Sequence, residues 1–227
     1  MSVSEQRTAG DESGASIRVR TLALMPCGVV LNLALGFLVY TLKLPVYLDA
    51  VGTITITLMA GVRAGVIVGI TSFLLGGLLV NPVLPWFSGT QAAIAVYVHV
   101  AASRGWLRLG SNNPKCQGFS KRTVAWMRPV LTGIGLGIVA AIVSAPAIVA
   151  VFGGITGSGA SLIVAFCLKS GETLVRSVLW AGLSSEPLDK TLQLILSLIL
   201  IRSMPDGLKT SFGGGTLARN GLINQRS

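Results

Sequence analysis

The chain has 227 residues, of which 52% are hydrophobic and only 11% charged. A soluble domain carries about 25% charged residues, so composition excludes water as the solvent for most of this chain. The formal net charge of +10, from 18 Lys and Arg against 8 Asp and Glu, would point to nucleic acid in a soluble protein. Here the cations concentrate in the tails and one linker, with no interleaved aromatics, so nucleic acid is not an expected partner.

Residues 1–20 are polar (SEQRTAGDESGAS) and lack an apolar period, which reads as a disordered tail. They do not read as a signal peptide, because the first apolar block runs from 21 to 42 with no small-residue cleavage site before the next element. That block, 21–42, is long enough to span a bilayer at about 1.5 Å per residue. KLPVYLD (43–49) breaks it, Pro45 imposing an extended or turn conformation on the residue before it. A second apolar run covers 50–60 and a third 62–80, with a tight turn at Gly61-Val62-Arg63 between them. VNPVLPW (80–86) ends the third through Pro82 and Pro85. A fourth helix is expected over 87–103.

The linker 104–128 is basic, with Arg104, Arg108, Lys115, Lys121, Arg122 and Arg128. A fifth helix is expected over 129–152, followed by GGITGSGAS (153–161) and a short apolar piece to Lys169. The last block runs from 173 to 205. At about 31 residues it exceeds one straight span, so Pro187 is expected to kink it or to detach a half-helix. The tail 206–227 is glycine-rich and polar.

These blocks predict an all-α integral membrane protein, a bundle of about six transmembrane helices over 21–205 with a glycine-rich outer loop before the last helix. An inside start places Arg7, Arg18, Arg20, Arg63, the linker cations, Arg202, Lys209, Arg219 and Arg226 on the cytoplasmic face, and leaves Lys43 and Lys169 outside. A multi-pass chain of the cell membrane with both termini in the cytoplasm is therefore expected. Cys27, Cys116 and Cys167 show no C-x-x-C spacing and read as small buried hydrophobes.

Ionisable or strongly polar residues at membrane depth are candidates for a site, because placing them there is costly. Asp49, before AVGTITI, is either an N-cap of the second helix or a ligand contact. Gly28, Asn32 and Gly36 share one face of the first helix, which packs within the bundle or docks on a separate membrane subunit. GGITGSGAS lacks the G-K-[ST] ending of a nucleotide loop. It is either a flexible connection or a source of backbone N–H groups for an anion. Glu172 with Arg176, and Glu186 with Lys190, are spaced to pair on one helix face or to hold a ligand. Asp189 and Lys190, as neighbours, point in different directions and are expected to find other partners. Gln91 is the better pocket residue of the fourth helix, whereas the lone His99 makes a poor metal ligand. Trp86 and Trp180 are membrane-belt residues or stacking platforms. No metal site, cofactor or catalytic constellation is expected, hence no enzyme.

LPVYLDAVGT after a helix containing Asn32, the NP-x-x-P break, GGITGSGAS and the late PLDK together resemble the substrate-specific components of energy-coupling factor transporters. The resemblance covers 21–205. It implies a six-helix membrane subunit that captures a vitamin or related micronutrient from outside, with no ATPase motif of its own. It also implies a pocket built from the later helices and the outer loops, which brings in Asn81 and Trp86 of the VNPVLPW loop and Gly157 and Ser158 of the glycine-rich loop. With Asp49, Gln91, Lys169, Glu172 and Arg176 these form the expected substrate-binding set, whose charges suit a zwitterionic or anionic solute. Implied partners are a transmembrane coupling subunit, contacted through Gly28, Asn32 and Gly36, and two cytoplasmic ATPase subunits. Asn32 departs from the alanine usual at that position, and the linker is long for the family. A membrane sensor module is the alternative, although such modules normally continue into a cytoplasmic output domain.

Overall fold

The structure, a computed structural model, describes residues 3–42, 46–107, 119–153 and 160–205. Among them are seven α-helices and no strand: α1 (Val3–Leu42), α2 (Val51–Ala60), α3 (Val62–Leu79), α4 (Ser88–Ser103), α5 (Phe119–Phe152), α6 (Ala160–Lys169) and α7 (Leu174–Ser203). One 3-10 turn, Leu84–Phe87, precedes α4.

Among the described residues three stretches are long and apolar enough to cross a membrane: Val19–Leu42, Val62–Leu79 and Met127–Val151. Their outer faces, and those of α4 and α7, carry exposed Val30, Phe37, Leu78, Val96, Leu131, Ile142, Trp180 and Ile199. Exposed apolar surface spread over several helices suits hydrocarbon rather than water. α2 has 10 residues and so measures about 15 Å, half of a hydrocarbon core about 30 Å thick.

That short helix sits at the centre of the bundle. Every residue from Val51 to Met59 is buried, and α1, α3, α4 and α7 all pack on it. The principal core joins Ile54 and Leu58 of α2 to Ile94 and Val98 of α4, Leu136 of α5, and Leu194, Leu198 and Ile201 of α7. Glycine sets how close the backbones come. A Cβ at Gly52 would run into the carbonyl oxygen of Gly28, so α1 and α2 touch backbone to backbone. A Cβ at Gly137 would meet the backbone of Glu186 and Pro187, and one at Gly133 that of Thr191. These contacts belong to the α5–α7 pairing, the most extensive in the bundle.

Three expectations are corrected. α1 is helical from Val3, through the stretch read as a disordered tail. Its Glu, Gln, Arg and Ala residues favour a helix once the apolar part supplies the nucleus. α5 begins at Phe119, inside the expected linker, and passes through Pro129. α7 is one helix through Pro187 rather than a half-helix and a span, and Gly137 lets α5 close against the proline. Proline inside a membrane helix is tolerated where neighbouring helices and hydroxyls satisfy the local backbone. The cysteines differ too: Cys27 is exposed, Cys167 is half-buried, and Cys116 lies outside the described residues.

Candidate functional site

The strongest concentration of buried charge lies where α7 passes the residues that lead into α2. Glu186, Asp189, Lys190 and Gln193 recur at helical spacing, so they line one side of α7. Lys190 occupies the centre. Its ammonium donates to Asp189 Oδ2 at 2.9 Å and to Asp49 Oδ1 at 3.2 Å, with Glu186 Oε2 at 3.7 Å. The side chains of Lys190 and Asp189 are 4% and 2% exposed, that of Glu186 13% and that of Asp49 24%, so Asp49 forms the accessible edge. Gln193 Nε2 donates to Asp189 Oδ2 at 2.7 Å and to Asp49 Oδ1 at 3.4 Å. The Tyr47 ring lies 5.8 Å from the ammonium, within cation–π range.

The N-terminus of α2 explains why these residues converge. A helix start leaves N–H groups without partners, and this one begins inside the bundle, where water does not supply them. Side chains from other helices do. Asp189 Oδ1 accepts from Tyr47 N at 2.8 Å and Leu48 N at 3.4 Å, and Gln193 Oε1 from Ala50 N at 3.0 Å. Asn32 Oδ1 of α1 accepts from Gly52 N at 2.6 Å and Thr53 N at 3.3 Å. The turn is tight enough to place Leu48 at φ 51°, in the left-handed region. For a leucine that conformation costs about 1–3 kcal/mol and persists where surrounding bonds over-determine it.

A second polar chain continues across the bundle from Asn32. Its Nδ2 donates to Thr53 Oγ1 at 2.9 Å and Ser72 Oγ at 3.1 Å, and Thr53 Oγ1 donates onward to Gln91 Oε1 at 2.8 Å. Every member is buried, and a fully bonded internal network of this kind specifies one packing arrangement.

The expected site residues fall into separate groups. Asp49 joins the cluster, but not as a cap: α2 has no side-chain cap of its own, and the Asp49 carboxylate turns to Lys190 and Gln193 instead. Gln91 lies in the adjoining network, bonded to Thr53. Asn81 caps its own turn, accepting from Val83 N at 3.1 Å. Trp86 is 66% exposed. Lys169 is exposed at the end of α6. Glu172 and Arg176 do pair, at 3.5 Å, and both are solvent-accessible. That pair stands about 15 Å along α7 from Glu186, apart from the cluster. Gly157 and Ser158 lie outside the described residues. Gly28 and Asn32 are buried and face α2 and α3, so their side of α1 is taken up by packing within the bundle. A Cβ added at Gly36 would meet only Asp49, at 3.9 Å from its Cβ.

Asp189 and Lys190 do find other partners, in Tyr47 N and Asp49 respectively, but they also bond directly to each other, which their spacing did not suggest. Neighbouring Cβ atoms on a helix do diverge, but the four-carbon lysine stem is long enough to fold the ammonium back. Tyr47 and Gln193 were not legible as site residues. The available clue was a D-K-x-x-Q run inside an otherwise apolar span, a costly placement that asks for a partner.

Arg176→Ala is expected to change stability by less than about 1 kcal/mol, because an exposed i,i+4 pair contributes little. Unfolding of purified protein by heat or denaturant measures this, and a loss several times larger would show that Arg176 holds more than Glu172.

Chemically, the cluster offers carboxylate acceptors around an ammonium, with a tyrosine ring at its edge. Among the described residues no three His, Cys, Asp or Glu side chains are grouped to hold a metal ion. The three helical stretches long and apolar enough to cross a membrane mark the class as a helical membrane protein. No protein-family model, curated protein or solved structure matches the chain.

Proposed function

We propose that this chain is the membrane-embedded, solute-capturing subunit of an energy-coupling factor importer, binding a vitamin or related micronutrient from outside. The observation that carries the reading is the half-length helix α2, whose N-terminus begins deep in the bundle beside a buried cluster of charges with one accessible edge. Discontinuous helices that start at membrane depth next to ionisable side chains are a recurrent construction of transporter substrate sites. Buried charge inside a membrane bundle is costly and marks function by default.

In this reading α1, α2, α3, α4, α5 and α7 form six membrane passes in the cell membrane, with both chain termini cytoplasmic under the positive-inside rule. The turn before α2 then faces outward. Asp49, Tyr47 and the α7 carboxylates receive the solute, and a transmembrane coupling subunit with two ATPase subunits drives its release inward. The sequence resemblance over 21–205 supports those partners.

The test is ligand retention. Protein solubilised in mild detergent is analysed by mass spectrometry for co-purifying small molecules, and by thermal shift against a panel of water-soluble vitamins. One compound held at stoichiometric level is expected, with affinity reduced at least tenfold in Asp49→Asn, where a carboxylate at the accessible edge loses its charge. Retention of nothing, with no thermal shift across the panel, would overturn the transport reading.

A further inference from the structure

The hydrogen-bonding groups of the cluster are unequally used, and this points to the charge of what binds. The donors are engaged. The Lys190 ammonium serves Asp189 and Asp49 and leans toward Glu186. Both protons of the Gln193 amide go to Asp189 and Asp49. Of the N–H groups before and at the start of α2, where an anion could be received, five are taken: Tyr47 and Leu48 by Asp189, Ala50 by Gln193, Gly52 and Thr53 by Asn32.

The acceptors are in surplus. Three carboxylates surround one ammonium. Glu186 Oε2 is fully buried and has no hydrogen-bond partner, an arrangement that costs the whole desolvation of that atom unless something completes it. It stands on the same ammonium as Asp49, whose bonds to described residues all fall on Oδ1, leaving Oδ2 for a donor. The Tyr47 ring, already within reach of one cation, presents a face that attracts another.

We infer that the site takes an organic cation carrying N–H donors — an ammonium, amidinium or guanidinium group — received by Glu186 and Asp49 beside the Tyr47 ring. This rests on the transport reading and narrows its substrate class. It also replaces the anionic or zwitterionic solute that Lys169 and Arg176 suggested, since both lie apart from the cluster. A metal ion is disfavoured because Lys190 already occupies the point on which the carboxylates converge.

The experiment is calorimetric titration and thermal shift of the full chain in detergent. Cationic probes with N–H on the charged group (benzamidine, agmatine and histamine) are set against anionic ones (biotin, pantothenate and benzoate) and neutral riboflavin. Choline serves as a cation without N–H donors. Binding by at least one N–H cation is expected, with choline weaker, and with affinity falling at least tenfold in Glu186→Gln. That variant keeps its shape and, leaving Asp49 and Asp189 to balance Lys190, should melt no lower than the parent. Asp49→Asn gives an independent second loss. An anionic or neutral probe binding more tightly than every cation overturns the inference while sparing the transport reading. So does cation affinity within twofold of the parent in both variants. Binding of no probe at all overturns both.

Discussion

Lys190→Met is expected to destabilise the protein by about 3–5 kcal/mol, the loss typical when one partner of a buried ion pair is removed and the other is left uncompensated. The methionine keeps most of the stem's volume, so the effect isolates the ammonium. Without it Asp189 and Glu186 face one another across a dry space, and Asp49 loses its shortest bond. Asp189 would still cap Tyr47 and Leu48, now as an unbalanced charge. The double variant Asp189→Asn with Lys190→Met should recover part of the loss, because an amide can accept from the Tyr47 N–H without carrying charge. Denaturant unfolding in detergent reads both. A Lys190→Met protein within about 1 kcal/mol of the parent, below the usual cost of breaking a buried pair, would mean that the carboxylates are not held as described.

Gly52→Ala is expected to cost about 3 kcal/mol, at the upper end of overpacking losses. The added methyl would enter the Gly28 carbonyl of α1 and stand 2.8 Å from Asn32 Oδ1. Neither obstacle is the loose end of a side chain: one is backbone, and the other is fixed by its bonds to Gly52 and Thr53. The helices must therefore separate, and the network through Thr53 to Gln91 opens with them. Gly89→Ala, at a position with nothing within 4 Å of the new Cβ, is the matched control and should stay within about 0.5 kcal/mol. Equal melting temperatures for the two variants would contradict the backbone contact between α1 and α2.

Chain order and span were legible because they follow from hydropathy and punctuation. The apolar run at 50–60 and the tight turn at Gly61 became α2 and the start of α3, with Gly61 at φ 94° as a turn glycine permits. The breaks at Pro82 and Pro85 became the 3-10 turn before α4. At Pro187 a detached half-helix did not form: proline's local effect is unfavourable in any helix, while its toleration here goes with α5 closing over it through Gly137. The spacing of Glu172 and Arg176 correctly implied a pair, but spacing says nothing of depth, and the pair proved exposed.

The amino-acid sequence by itself determined the order of the helices and which stretches are apolar enough to cross a membrane, while the starts of α1 and α5 lay well outside the expected bounds. Those properties depend on composition and on periods shorter than one helix. Only the tertiary structure decided which charges meet. Asp49 and Lys190 are far apart in the chain and share one bond because α2 starts inside the bundle and its unpaired N–H groups draw Asp189, Gln193 and Asn32 to one place. Backbone groups buried away from water require partners wherever they can be found, and no local pattern names a partner supplied by another helix.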